Sequence, residues 1–377
     1  MRIGVNTRLL LKGRLEGIGY FSQQTLSRIV AANPDIEFVF FFDRKYDSEF
    51  VFGKNVKPVV IPLPTRHPIL WWIYFEILLP LYLRWYKIDL FFSPDGWMPS
   101  KPKIPTVNTI HDINFLHNPE FIVRKMMRKY YMHFFPLYAA NCKRLITVSE
   151  FCKNDISTAF NIDKSKIDVV YSASNGLYAP LNEAEQQKVR AEFTNGKPFF
   201  YFVGALHKRK NLENLFRAFD AFKHKTQSDV KLLIIGSLMW KDRDIEAAYD
   251  NMVFKSDVIF TGRLETESVI RIAASSLALV FTSLFEGFGV PIVEAFAAHT
   301  AVITSTTSSM PEVSGDAALL CEPTNVDSIA TAMESIYTKP DLRATLIEKG
   351  KIQHQYFTWE STSEKLWTSI KQAASAK

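Results

Sequence analysis

The sequence predicts two doubly wound α/β domains in one chain, and three observations carry that prediction. Short β-rich apolar runs alternate with stretches of helical periodicity. The alternation breaks near Asn175 and then starts again. The 377 residues are enough for two domains, each with its own core.

Taken in order, "RIGVN" is a short β-rich run ended by polar residues, and "IEFVFFFD" (36–43) is an unbroken apolar run suited to a strand buried on both faces. Between them "YFSQQTLSRIVAAN" has helical spacing and ends at Asn33-Pro34, a stop signal. Together they form a β-α-β unit. "VKPVVIPL", "IDLFFSP", "IPTVNTIHD", "RLITVSE" and "IDVVYSAS" read as further strands, so the first domain is expected over residues 1–175. The stretch "SNGLYAPLNEAEQQKVRAEFTNGKP" holds turn-forming Asn-Gly pairs and a charged, helix-favouring insert, and marks the junction. Alternation resumes with "FFYFVGAL", "VKLLIIGS", "VIFTG", "LALVFTS", "TAVITS" and "AALLCEP", giving a second domain over 176–359. A closing helical stretch, about residues 360–377, is expected to return to the first domain. Two such domains facing each other make a deep cleft, and ligands of open parallel sheets bind beyond the carboxyl ends of the strands.

Composition excludes several classes. A net charge of +6 and a pI near 9.0 permit an anionic ligand or membrane surface but do not call for nucleic acid. Cys142, Cys152 and Cys321 include no C-x-x-C pair, which argues against a disulfide framework or structural zinc and favours a reducing cytoplasm. No signal peptide is read in "MRIGVNTRLLLKGR", and the apolar stretch Ile69–Leu83 is too short for a membrane span and carries Glu76 and Pro80. In "FIVRKMMRKYYMHFF", Arg124, Lys125, Arg128 and Lys129 form a basic face. With the aromatic "WWIYFE" it suits a peripheral place at the inner face of a membrane.

The most informative motif is "SLFEGFGVPIVEAFA". After the strand "LALVFTS", Gly287 and Gly289 let the backbone approach a ligand, and Pro291 suits the first turn of a helix. That helix N-terminus offers N–H groups to an anion such as diphosphate, while Glu286 and Glu294 suit hydroxyl donors. In "FFYFVGALHKRKNLENLF", Lys208, Arg209 and Lys210 follow a strand, where fixed cations suit a pyrophosphate leaving group. "TVNTIHDINF" places His111 and Asp112 at a strand end, where a histidine can bond a substrate hydroxyl. "GRLEGIGYFSQQ" sets Gly17 and Gly19 in an expected close-approach loop between the first strand and helix, without the spacing of a dinucleotide fingerprint, which disfavours a dehydrogenase. Asp242 and Asp244 in "KDRD" have the D-x-D pattern of some metal sites but read as acids opening a helix.

These motifs resemble the family 4 retaining glycosyltransferases, mannosyltransferase-like members included, which have the GT-B fold of two facing Rossmann-like domains. The resemblance runs along nearly the whole chain, through "GIGYF", "TIHD", "ITVSEFCKNDI", the Asn175-Gly176 pair, "VGALHKRKNL", "FTGRL", "SLFEGFGVPIVEAFA" and "SSMPEVSGDAALL". It implies that Arg209 and Lys210 bind a donor diphosphate, Glu294 the ribose and Glu286 the transferred sugar, with the backbone of Phe288, Gly289 and Val290 completing a phosphate cradle. His111 matches a histidine near the donor sugar, and Gly19 and Gly204 match glycines at the phosphate. Many members have Gly-Arg at Gly204-Ala205, so the cationic pair falls to Arg209 and Lys210.

The implied reaction is metal-independent hexose transfer, without a cofactor, from a nucleotide sugar (GDP-mannose favoured, a UDP-sugar as the second choice) to a glycan or lipid-linked acceptor in polysaccharide biosynthesis. A nucleotide-sugar epimerase of the same fold and a non-catalytic nucleotide-sugar binding module are the competing readings.

Overall fold

The computed structural model describes residues 1–13, 15–122, 124–237 and 243–375. It divides into two units, one of residues 1–172 with the C-terminal stretch from Thr358, the other Ala173–Phe357.

The first unit is built on a seven-stranded, wholly parallel sheet of β1 (Arg2–Asn6), β2 (Glu37–Phe42), β3 (Val56–Val60), β4 (Leu90–Ser93), β5 (Thr106–Thr109), β6 (Arg144–Thr147) and β7 (Ile167–Val169). The spatial order is β3-β2-β1-β4-β5-β6-β7, so the winding reverses between β1 and β4. Central strands need apolar side chains on both faces, and Phe38, Val39, Phe40, Phe41 and Phe42 are all buried. Helices cover the sheet where the sequence supplies caps. Ser149, for example, accepts the Cys152 N–H at 3.1 Å and starts the helix Glu150–Phe160. The helix Gly17–Ala32 stops at Asn33, as the Asn-Pro signal predicts. The C-terminal helix Trp359–Ser375 lies in this unit, with the Trp359 ring 6.3 Å from Phe21 and the Trp367 ring 6.4 Å from Phe38.

One feature departs from the reading above. Gly17 and Gly19 are not in a loop: they are the first and third residues of the helix Gly17–Ala32. A Cβ at Gly19 would come within 3.1 Å of the Leu9 carbonyl oxygen, so the close approach is to the chain's own backbone. The aromatic stretch after His67 is a helix (Pro68–Trp72), a π-helical turn (Ile73–Leu78) and a second helix (Leu79–Trp85). No helix among the described residues is long and apolar enough to cross a membrane.

The second unit holds a six-stranded parallel sheet: β8 (Phe199–Val203), β9 (Lys231–Ile235), β10 (Val258–Gly262), β11 (Ala278–Phe281), β12 (Ala301–Ser305) and β13 (Leu319–Cys321). Their order is β10-β9-β8-β11-β12-β13, with the reversal between β8 and β11. The charged insert forms the helix Glu183–Thr194, whose start is a capping box: Asn182 accepts from the Glu185 N–H and the Glu185 carboxylate from the Asn182 N–H. Asp244 opens the helix Arg243–Asp250 and ion-pairs with Lys208 at 2.7 Å, while Asp242 lies outside the described residues. The three cysteines are free and buried, and burial pushes the thiols of Cys142 and Cys321 up to about 12.

Candidate active site

Where a parallel sheet reverses its winding, the loops leaving neighbouring strands part and open a crevice. In the second unit these are the loop after β8 (204–211) and the loop after β11 (282–289). They are tied together by backbone and by side chains. The Leu284 N–H donates to the Arg209 carbonyl oxygen at 2.8 Å. Asn211, buried and in the left-handed region at φ 60°, donates to the carbonyl oxygens of Thr282 at 2.9 Å and Pro323 at 2.7 Å. Only a few residue types tolerate that backbone, and the short amide of asparagine also reaches both acceptors.

This framework brings Arg209, Lys210 and Glu286 into one cluster. Arg209 reaches Glu286 at 2.7 Å and also donates to the Phe285 carbonyl oxygen at 2.8 Å. Lys210 Nζ sits 2.7 Å from the other Glu286 oxygen and 4.6 Å from the centre of the Phe281 ring. Glu286 is 7% exposed. Burial pushes its carboxyl up, but the charges of Lys210 and Arg209, with the hydrogen bond from Lys210, outweigh it and hold the group below its ordinary value. Glu286 is therefore ionised at neutral pH, clasped between two cations.

Behind the loop, Ser309 donates to the carbonyl oxygens of Glu286 and Phe288, both at 2.9 Å, and the Ser308 hydroxyl accepts the Glu286 N–H at 3.1 Å. Gly289, at φ 102°, precedes the helix Val290–Ala297, whose first turn contains Pro291. Phe288, Gly289 and Val290 thus stand at a helix N-terminus next to the Arg209–Lys210–Glu286 cluster. Glu294 follows one turn later on the same helix. Its surface is partly exposed, yet it is set deeply enough that burial pushes the carboxyl up to about 7, only partly offset by a hydrogen bond from Tyr178. Two glutamates eight positions apart are thus shifted in opposite directions.

Gly204, at φ 149°, follows β8, and a Cβ on it would lie 3.5 Å from Lys210 Cε. Its carbonyl oxygen would stand 2.0 Å from a Cβ on Gly236, the residue after β9. No flexible side chain intervenes to give way. Gly236→Ala is therefore expected to shift the 204 loop and cost about 1–3 kcal/mol of stability, read as a lower urea midpoint. Gly17→Ala, at a helical position with nothing within 4 Å of the new Cβ, serves as the unaffected control.

His111 belongs to the first unit, just beyond β5. Its Nε2 is 2.8 Å from the Pro94 carbonyl oxygen, an acceptor only, so Nε2 carries the proton and Nδ1 is left as an acceptor in the neutral ring. Burial pushes its pKa down, against the hydrogen bond to Pro94 and the charges of Asp112 and Asp95. The Phe21 ring meets it edge-on at 5.1 Å. Asp112 accepts the Asn114 N–H at 2.9 Å, a local turn contact.

The sequence reading missed a second polar cluster in this unit, at the carboxyl ends of β1 and β4. Arg8 bonds Asp95 at 2.5 Å, with side chains 9% and 2% exposed. The Arg8 guanidinium lies 4.6 Å from the Trp97 ring centre and 5.7 Å from that of Phe75. Asn6 donates to Asp95 at 2.7 Å and the Ser93 hydroxyl to it at 3.0 Å. The one signal for it was "SPDG" directly after an apolar run, which also reads as an ordinary turn. Among the described residues, no group of three or more His, Cys, Asp or Glu side chains is placed to hold a metal ion.

Comparison with known proteins agrees with this fold. Residues 18–173 match the family described as Glycosyltransferase Family 4, and residues 183–353 the family described as Glycosyl transferases group 1. The O-antigen chain mannosyltransferase B of Escherichia coli is 25% identical over 363 residues, 93% of this chain and 94% of that protein. Sucrose-phosphate synthase of Thermosynechococcus elongatus shares the fold with a TM-score of 0.80 at 18% identity, over 100% of both chains. Anabaena HepE, solved in complex with UDP-glucose, does so with a TM-score of 0.73 at 16% identity, over 99% of this chain and 100% of its own. With one family's domain in the first half and the other's in the second, the chain belongs to the family 4, group 1 glycosyltransferases and is a glycosyltransferase of the GT-B fold.

Proposed function

We propose that the protein transfers a hexose, mannose, from a nucleotide diphosphate sugar to a hydroxyl of a glycan or lipid-linked acceptor in polysaccharide biosynthesis, with retention at the anomeric carbon. The observation that carries this reading is the ionised Glu286 clasped by Arg209 and Lys210 beside the N-terminus of the helix Val290–Ala297. Support for mannose comes from the mannosyltransferase relative of nearly equal length. HepE, with its bound UDP-glucose, supports a nucleotide sugar as donor in this fold. GDP-mannose is the donor of choice.

In this scheme Arg209 and Lys210 take the diphosphate charge as the glycosidic bond to phosphate weakens, aided by the N–H groups at Phe288, Gly289 and Val290. Glu286 is then released from its cations to accept hydroxyls of the sugar, and Glu294 accepts from the ribose. The departing phosphate takes the acceptor proton on the same face. His111 Nδ1 accepts a sugar hydroxyl, and Gly204 lets the donor approach its loop. Two cations and a helix terminus supply the charge that a divalent ion would otherwise supply, so excess chelator is expected to leave turnover unchanged.

A thermal-shift series across nucleotide sugars tests the donor, because a ligand bound only by the folded state raises stability with the logarithm of its concentration. GDP-mannose is expected to give the largest shift; no shift with any nucleotide sugar would overturn the reading. Release of nucleotide upon addition of acceptor separates transfer from epimerisation, and donor left intact beside a matched acceptor would point to a binding module.

The raised carboxyl of Glu294 adds a pH dependence. A ribose hydroxyl bonds best to the carboxylate, so donor affinity should rise about tenfold between roughly pH 6 and 8 and level off above. In the free protein the sign is opposite. The folded state keeps a proton that the unfolded state releases above its ordinary value of 4.5, so this residue's contribution to stability falls as pH climbs from there to about 7. Glu294→Gln should flatten both trends, as read by calorimetric titration and by urea midpoints across pH.

A further inference from the structure

The helix, π turn and helix of Pro68–Trp85 present two unlike faces. Trp71, Phe75, Leu79 and Leu83 are buried in the core of the first unit. Trp72, Ile77, Leu81 and Trp85 point outward, 46%, 41%, 60% and 74% exposed. Three of the four are spaced by four residues, and the five-residue step from Trp72 to Ile77 falls across the π turn, whose hydrogen bonds span five residues. The wider turn thus keeps an unbroken apolar stripe on the outer side, where a regular helix would have rotated Trp72 away from it.

Charge around the stripe is one-sided. Glu76 is the lone acid between residues 68 and 87, and where it borders the groove beside Ile77 its carboxylate accepts the Ser100 N–H at 3.1 Å and hydroxyl at 2.6 Å. An apolar groove of about 520 Å³ runs along Ile77, Pro80 and Leu81. Arg84, Lys87, Lys101 and Lys103 line it, and none has a carboxylate partner among the described residues. Across the stripe, Trp72 and Met126 border a shallower apolar groove of about 330 Å³ with Lys129 at its edge. The basic stretch noted in the sequence therefore meets this face, with Arg124 at the cap of the helix Lys125–Asn141.

We propose that this face docks on the surface of an anionic lipid bilayer, with the stripe lying in the plane of the interface. The residue types match that setting. Indole rings favour headgroup depth, aliphatic side chains reach just below, and Lys and Arg stems carry their charge to the phosphates. Charge also decides against a second copy of the chain. A two-fold contact would set each copy's cations against their own counterparts. The groove by Leu81 is where a lipid acyl chain would enter, with its phosphate at Arg84 and Lys87. None of this depends on the glycosyl-transfer reading, because binding is measured without substrates.

The test is flotation of the full chain with phosphatidylcholine vesicles that contain or lack phosphatidylglycerol. The wild type is expected to float with the anionic vesicles at low salt and to detach at high salt. Leu81→Ser/Trp85→Ser and Arg84→Gln/Lys87→Gln should each weaken binding at least tenfold with unchanged circular dichroism, since all four residues are outside the core. Indole emission should also be quenched by brominated phosphatidylglycerol, less so in Trp85→Phe. Failure of the wild type to float, or equal flotation of the double variants, would overturn the proposal. So would a concentration-dependent dimer in sedimentation that Leu81→Ser/Trp85→Ser abolishes.

Discussion

Lys210→Ala should lower turnover by two to three orders of magnitude while leaving the second unit folded. Lys210 gives Glu286 one of its two cations and, in the proposed reaction, meets the charge that develops on the departing diphosphate. Removing one preorganised donor to a developing anion costs about 2.7–4 kcal/mol at the transition state. The fold is protected because Arg209 still reaches Glu286 at 2.7 Å and Asn211 still ties the two loops. Arg209→Ala should act alike, with a further loss from its bond to the Phe285 carbonyl oxygen. The measurement is steady-state transfer from GDP-mannose alongside thermal unfolding. Full activity in both variants would remove the cations from the mechanism.

Asp95→Ala should be the most destabilising single change among the polar residues of the first unit. Arg8 is almost wholly enclosed between Asp95 and the rings of Trp97 and Phe75. Truncating Asp95 leaves a guanidinium buried without its counter-charge, and takes an acceptor from Asn6 and Ser93 as well. Breaking one side of a buried pair costs about 3–5 kcal/mol, whereas replacing both sides by apolar groups is far milder. Urea unfolding should therefore show Asp95→Ala well below the wild type, and Asp95→Ala/Arg8→Leu recovering part of the difference. Equal stability of the two variants would mean that the guanidinium finds water when its partner is gone.

The parallel strands were legible because each is a short apolar run between turn signals, and periodicity needs no knowledge of distant residues. The "LFEGFG" loop was legible for a related reason: glycine, proline and acid at those positions describe a turn and helix start locally. Asn211 and Gly236 carried no such mark. Asn211 matters through carbonyl groups 71 and 112 positions away, and Gly236 through the oxygen of Gly204 on the neighbouring strand's loop. Arg8 and Asp95 were hidden likewise, 87 positions apart. Gly17 and Gly19 were read as a loop because a pair of glycines beside polar residues looks alike in a loop and in the first turn of a helix. The π turn was beyond reach, since one inserted residue in a helix leaves an amphipathic pattern that reads as plain apolar sequence.

The placement of the helix Trp359–Ser375 bears on how the chain matures. It is covered on one side by residues near the start of the sequence, through Phe21, Phe38 and the Arg28–Glu360 ion pair, and Thr362 bonds the Tyr171 carbonyl oxygen at 2.8 Å. The whole of the second unit is translated between those partners. On the ribosome the second unit therefore has all of its chain before the first one does, and the sheet begun at Arg2 waits with its helix Gly17–Ala32 uncovered until residues beyond 357 emerge. A stop codon late in the reading frame would strike the half of the molecule that was made first.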